Sequence, residues 1–287
     1  MQINPKLIKN QFEKSMDKYN ENAVVQQISA EKLAEQTAII RKDFINILEL
    51  GSGTGLLTKE LIKKVNFKSY TANDLIDKSQ KYLKDILPEF TFLCGNAQRI
   101  KPAKKMDLII SNAMFQWFND LEKVSIHYKN ILNKDGILAF STFSPENFHE
   151  IKELTGLSLE YKPLDEIQNI FEENYETLYT EEFSHTLTFS NPLELLAHMK
   201  STGVNSLTAQ HWTFKEVKEF CDNYKSRYPQ ITPHLLSNNF YMQKNLKQNK
   251  YIHFSIQFCK EKTYNVYIKT CLLFHDGIRN GKIAKQL

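Results

Sequence analysis

The sequence predicts a doubly wound α/β fold of the Rossmann-like kind, with a mostly parallel sheet between layers of helices. Three observations predict it. A short apolar run, Phe44-Ile-Asn-Ile-Leu-Glu-Leu50, stops at the glycine-rich turn Gly51-Ser-Gly53-Thr-Gly55. A helical pattern follows at once, which is the setting a ligand-binding glycine loop requires. Strand-type and helix-type segments then alternate to about residue 143, and such alternation builds parallel sheets with right-handed crossovers.

Each element follows from its pattern. Leu7, Phe12, Met16 and Tyr19 recur at helical spacing, and Val24, Val25, Ile28, Leu33 and Ala34 continue on a second helix after Asn20 and Asn22. Residues 1–40 thus read as two N-terminal helices. Strand 44–50 opens the domain, and a helix covers 56–65. Strand 68–73 closes on Asp74, followed by a helix near 77–86 and a strand at 90–93. Strand 107–111, a helix near 120–132 and strand 137–143 complete the alternation. Beyond it, 164–174 reads as helical and 180–189 as extended, and Asn191-Pro192 opens a helix to 202. The aromatic and β-branched runs 251–258 and 264–274 follow a lysine-rich stretch.

The chain's 287 residues suffice for one large domain with an appendage. Lys and Arg number 37 against 33 Asp and Glu, a net charge of +4. That is too mild for a dedicated nucleic-acid binder, yet it leaves room for a local basic patch. The four cysteines show no C-x-x-C spacing, so neither a zinc site nor a disulfide framework is expected. The opening residues lack an apolar core region, and no run approaches membrane-spanning length. A cytoplasmic protein that binds neither membrane nor metal is expected, as a monomer.

The chemistry gathers at the strand ends. Glu49 stands two residues before Gly51, and a carboxylate there suits a cationic ligand better than the pyrophosphate of a dinucleotide. S-adenosylmethionine, with an amino acid, a ribose and a sulfonium, is such a ligand. Gly51, Ser52, Gly53 and Gly55 are the candidate cradle for it, and the Glu49-x-Gly-x-Gly-x-Gly spacing resembles that of the class I methyltransferases. Asp74 ends the second strand where an acidic residue holds ribose hydroxyls, with Leu75 beside it. Asn96 and Ala97 end the third strand. The resemblance implies an aspartate at position 96 to accept from the adenine amine, and asparagine accepts through its amide oxygen instead. Ser111 and Asn112 end the fourth strand and open on the cofactor's side. Gln116 and Trp117 follow; Trp117 reads either as packing over the sheet edge or as lining for the methyl acceptor.

A narrower resemblance rests on Phe12, Tyr19, Ala23-Val-Val-Gln26, Leu48 to Thr58, Asp107 to Asn112 with Gln116-Trp117, Phe140-Ser-Thr-Phe143 and Asn191 to Val204. Over about residues 8–230 the chain is similar to the malonyl-acyl-carrier-protein O-methyltransferases of biotin synthesis. The resemblance implies methylation of a carboxylate on malonyl-acyl-carrier protein, with S-adenosylmethionine converted to S-adenosylhomocysteine. A carboxylate is already an anion at neutral pH, so positioning and desolvation replace a general base. It also implies a catalytic Tyr19 on a lid helix, or otherwise a core-facing helix aromatic, and a substrate cap at about 144–205. A lysine or arginine of that cap is expected to receive the malonyl carboxylate. Lys152, Lys162 and Lys200 offer positive charge to an acidic carrier. Two other readings stay open: a carboxyl methyltransferase for aconitate-like small acids, and a non-methylating protein that binds the same cofactor as a hydroxylase or assembly factor.

Past Tyr228-Pro229 the resemblance stops. Pro233 and the pair Asn238-Asn239 do not read as a central strand. Residues 231–287 are therefore expected to form a divergent extension, unless 251–258 or 264–274 supplies a last strand.

Overall fold

A computed structural model describes residues 5–203, 212–228, 234–244 and 267–272. Its helices are α1 (Pro5–Asn22), α2 (Val24–Ile40), α3 (Leu56–Leu61), α4 (Ser79–Lys84), α5 (Leu121–Ile131), α6 (His149–Thr155), α7 (Leu164–Glu172), α8 (Pro192–Ser201) and α9 (Phe214–Arg227). Its strands are β1 (Asn46–Leu50), β2 (Ser69–Asp74), β3 (Thr91–Cys94), β4 (Met106–Ser111), β5 (Leu132–Phe143), β6 (Tyr175–Thr186), β7 (His234–Lys244) and β8 (Tyr267–Leu272).

The strands form one sheet in the order β3-β2-β1-β4-β5-β7-β6-β8. The first five are parallel, with Ile47 opposite both Tyr70 and Leu108. The last three pair antiparallel. The expected Rossmann-like fold is present, as a sheet of eight strands among the described residues.

β1 and β4 are apolar on both faces because helices cover both. Leu48, Leu50 and Ile109 face a layer that holds Leu121, Val124 and Tyr128 of α5 and Phe171 of α7. Ile47, Leu108 and Ile110 face Leu33 of α2 and Leu57 and Leu61 of α3. Along β1 this alternation places Glu49 on the same face as Ile47, towards α2 and α3. Asp107 locks the start of the sheet: its Oδ2 accepts from the amides of Ile45 and Asn46 at 2.9 and 2.8 Å, and its Oδ1 accepts from Asn133 at 2.6 Å. Residues 133–136 form a bulge within β5, since Met106 pairs with Leu132 and Leu108 with Ile137.

One expectation needs correction. Residues 234–244, which do not read as a central strand, lie between β5 and β6. Phe140 pairs with Phe240, and Asn238 and Asn239 pair with Thr142 and Ser141. The local asparagines are outweighed by two neighbours that each offer a full ladder of backbone partners. Met242 sits fully buried among Phe140, Phe171 and Tyr175. The sheet thus runs past residue 230. Run 264–274 contributes the edge strand β8, whereas 251–258 lies outside the described residues.

Two helices escape the sequence reading. α6 is short, with seven residues. α9 carries a signal that was legible: Thr213 and Glu216 form a capping box, the T-x-x-E signature of a helix start. Together with α8, these helices bury Phe143, Phe148, Leu195, Met199, Phe220 and Tyr224 in a third apolar cluster.

Candidate active site

The carboxyl ends of β1, β2 and β4 open on a single face, and a pocket lies there beneath α1. It encloses about 1120 Å³ with the solvent at its mouth included, ample for a nucleoside joined to an amino acid. Gly51, Ser52 and Gly53 line it. Gly51 has φ +64°, and a Cβ there would stand 2.8 Å from Cγ of Met114, which also lines the pocket. Gly55 is not a lining residue. Its φ of +83° starts α3, and a Cβ would collide with Ile86 Cδ1, so this glycine serves close packing on α4.

Asp74 lines the pocket as the last residue of β2. Its Oδ2 accepts from the amide of Gly53 at 2.7 Å and its Oδ1 from that of Ile76 at 2.8 Å. The carboxylate thus holds the glycine loop in shape and retains further lone pairs for a ligand. Burial pushes its pKa up, and the two amides pull it back. Leu75 stands beside it in the lining. Asn96 and Ala97 close the far end. The Asn96 amide oxygen accepts from the backbone N–H of Gln98 at 2.9 Å and so caps the 3-10 turn Ala97–Arg99.

Glu49 is buried, 1% exposed, and lines the pocket. Its Oε2 accepts from Thr58 Oγ1 at 2.6 Å and from the Tyr70 hydroxyl. Burial pushes its pKa up to about 7, against the pull of both hydroxyls.

The remaining wall comes from α1 and the loop after β4. Tyr19 lines the pocket, and burial followed by the charge of Asp74 pushes its phenol pKa up. Phe12, another lining residue, meets Trp117 edge-on at 5.7 Å and Tyr19 at 6.2 Å between ring centroids. Trp117 is therefore both a packing residue and a lining one. Asn20 Oδ1 accepts from Thr54 Oγ1 at 2.5 Å, and Asp17 pairs with Lys78 at 2.8 Å, so α1 is fastened along the pocket.

Behind the wall, Ser111 donates to the carbonyl of Leu50 at 2.8 Å, buried between strands. Asn112, which lines the pocket, donates to the Gln26 carbonyl at 2.8 Å and accepts from Ser141 at 2.7 Å. It ties α2 to the sheet. Gln116 turns back to donate to the Ala113 carbonyl at 2.6 Å and is not a lining residue. Of the three cap lysines, Lys162 is paired with Glu166, while Lys152 and Lys200 are exposed. The reading of the sequence missed Met16, Met114 and the hydroxyl pair on Glu49. Thr58 stands one helical turn into α3, and Tyr70 shares a face with Glu49 across the β1–β2 ladder. Strand register would have revealed the second.

Residues 48–140 match the methyltransferase-domain family. A malonyl-[acyl-carrier protein] O-methyltransferase from Chlorobium luteolum is 34% identical over 232 residues, 78% of this chain and 88% of the relative. One of the same name from Haemophilus influenzae is 31% identical over 77% of this chain and 86% of its own. The chain belongs to the malonyl-[acyl-carrier protein] O-methyltransferase family. Among solved structures, a methyltransferase of Bacillus halodurans covers 75% of this chain and 98% of its own, with TM-score 0.56 and 14% identity. The N-methyltransferase NodS of Bradyrhizobium japonicum, in complex with S-adenosyl-L-homocysteine, covers 83% and 98% with TM-score 0.51 and 9% identity. These last two share the fold.

The chain is an S-adenosylmethionine-dependent O-methyltransferase, and the pocket fits that cofactor. It offers two buried carboxylates, Glu49 and Asp74, to a ligand that carries an ammonium, a sulfonium and ribose hydroxyls. Among the described residues, no lysine or arginine forms an ion pair with either carboxylate.

Proposed function

We propose that the protein methylates the free carboxylate of malonyl-acyl-carrier protein, the step that disguises a primer for fatty-acid-type extension in biotin synthesis. The observation that carries this reading is the match to relatives of that name over more than three quarters of the chain. Neither the small-acid nor the non-methylating alternative has comparable support.

When bound, S-adenosylmethionine supplies an electrophilic methyl group. The residues of this chain position and exclude water. Asp74 holds the ribose hydroxyls, Gly51 to Gly53 with Leu75 shape the backbone around the ligand, and Glu49 meets its cationic amino-acid end. Asn96 and Ala97 face the adenine. Tyr19, Phe12 and Trp117 close the methyl end with aromatic surface, where a desolvated carboxylate is a stronger nucleophile. The Tyr19 phenol, with its raised pKa, stays protonated and donates a hydrogen bond that orients the incoming carboxylate. Asn112 positions the wall through Gln26 and Ser141, and Gln116 and Ser111 support it from behind. The N-terminal helices act as a lid and residues of about 144–205 as the substrate cap, with the acidic carrier docking on basic side chains such as Lys152 and Lys200.

The test is S-adenosylhomocysteine release with malonyl-acyl-carrier protein, with free malonate and with the carrier lacking malonate. Release confined to the malonyl-carrier is the expected result. Turnover of free diacids would favour a small-acid enzyme instead.

A further inference from the structure

Glu49 presents an unusual electrostatic situation. It is 1% exposed, and the charge that acts on it is the like charge of Asp74, which adds to the upward push of burial. From β2, Tyr70 and Asp74 face it; from α3, Thr58 does, while Lys59 is exposed; from α1, Tyr19 lines the same pocket. A buried carboxylate without a cation normally takes up a proton. Two hydroxyls oppose that by donating to the same oxygen, Oε2. The other oxygen is clear of both hydroxyls, on a side chain that lines the pocket.

We infer that Thr58 and Tyr70 are positioning residues that keep Glu49 ionised and turn its other carboxylate oxygen to the ammonium group of the cofactor's amino-acid end. This rests on the reading of Glu49 as the contact for that end. The cofactor's ammonium then completes an ion pair with Glu49, and its entry displaces whatever proton Glu49 carries. Hydrogen bonds to the ionised form lower a carboxyl pKa, so stripping them raises it. The direction of the pH effect follows. Affinity depends on the ionised form, is full above the Glu49 pKa and declines as pH falls through about 7.

The experiment is calorimetric titration of the full chain with S-adenosylhomocysteine between pH 5.5 and 9, for wild type, Thr58→Val/Tyr70→Phe and Glu49→Gln. The ligand's own titration is common to all three. In the double variant the midpoint of affinity loss is expected to move up by roughly one pH unit, giving about fivefold weaker binding at pH 7 and near-recovery at pH 9. Thr58→Ser, which keeps a hydroxyl, is expected to retain the wild-type profile, and the single variants Thr58→Val and Tyr70→Phe to move it part of the way. Equal weakening at every pH, or an unmoved midpoint while Glu49→Gln binds poorly, overturns the positioning role alone. Wild-type affinity and pH dependence in Glu49→Gln overturn the underlying contact as well.

Discussion

Asp74 and Tyr19 illustrate how one side chain can serve both shape and ligand. Asp74 spends part of its acceptor capacity on the amides of Gly53 and Ile76, so Asp74→Ala removes a loop brace along with the proposed ribose contact. Hydrogen bonds to a charged group contribute ~1.5–3 kcal/mol, so S-adenosylhomocysteine should bind roughly ten- to a hundredfold more weakly in calorimetry. Tyr19→Phe separates ring from hydroxyl. The ring keeps its contact with Phe12, so cofactor affinity should hold within about twofold while kcat falls on the order of tenfold or more. Because burial raises the Tyr19 pKa, wild-type kcat should show no alkaline decline from this phenol below pH 9. Unchanged kcat in Tyr19→Phe would reduce the residue to an aromatic wall.

At the scale of elements, α1, the proposed lid, takes its packing in part from a distant segment of the chain. Gly203, just beyond α8, has φ +73°, and a Cβ there would stand 2.9 Å from the Phe12 ring. Gly203→Ala therefore combines left-handed backbone strain with a push on Phe12. Its expected result is a loosened lid: faster proteolytic cleavage within α1 and weaker cofactor binding, with the melting temperature little changed. Equal protection of α1 in both proteins would break the link between α8 and the lid. Nothing in the sequence disclosed this contact, because it joins segments some 190 residues apart. What was legible followed local rules. The glycine loop, the acidic strand ends and the break between α1 and α2 show as residue types at fixed spacing. The side of a strand end that faces solvent, ligand or neighbour does not. Ser111, Asn112 and Gln116 are adjacent or nearly so, yet they point respectively into the sheet, at the pocket and back onto the loop.

For the whole molecule, the decisive feature is a strand that arrives late and sits centrally. β1, β4 and the second half of β5 are legible because each buries both faces and reads as an apolar run. β7 is not, because its place depends on two ladders supplied from residues 132–143 and 175–186. A truncation after residue 230 leaves β5 and β6 facing each other across a missing strand, with their backbone donors and acceptors unpaired and Met242 gone from the core. Each buried unpaired backbone group costs about 1–3 kcal/mol, and β5 and β6 would expose several at once, which exceeds the stability of an ordinary domain. Insoluble expression or loss of cooperative melting is the expected outcome. Among the described residues, a truncation after residue 250 removes the edge strand β8 and keeps the order β3-β2-β1-β4-β5-β7-β6. That protein should melt cooperatively and still bind S-adenosylhomocysteine. Cooperative folding of the shorter protein would mean that β5 and β6 can pair without β7, and would return residues 231–287 to the status of an appendage.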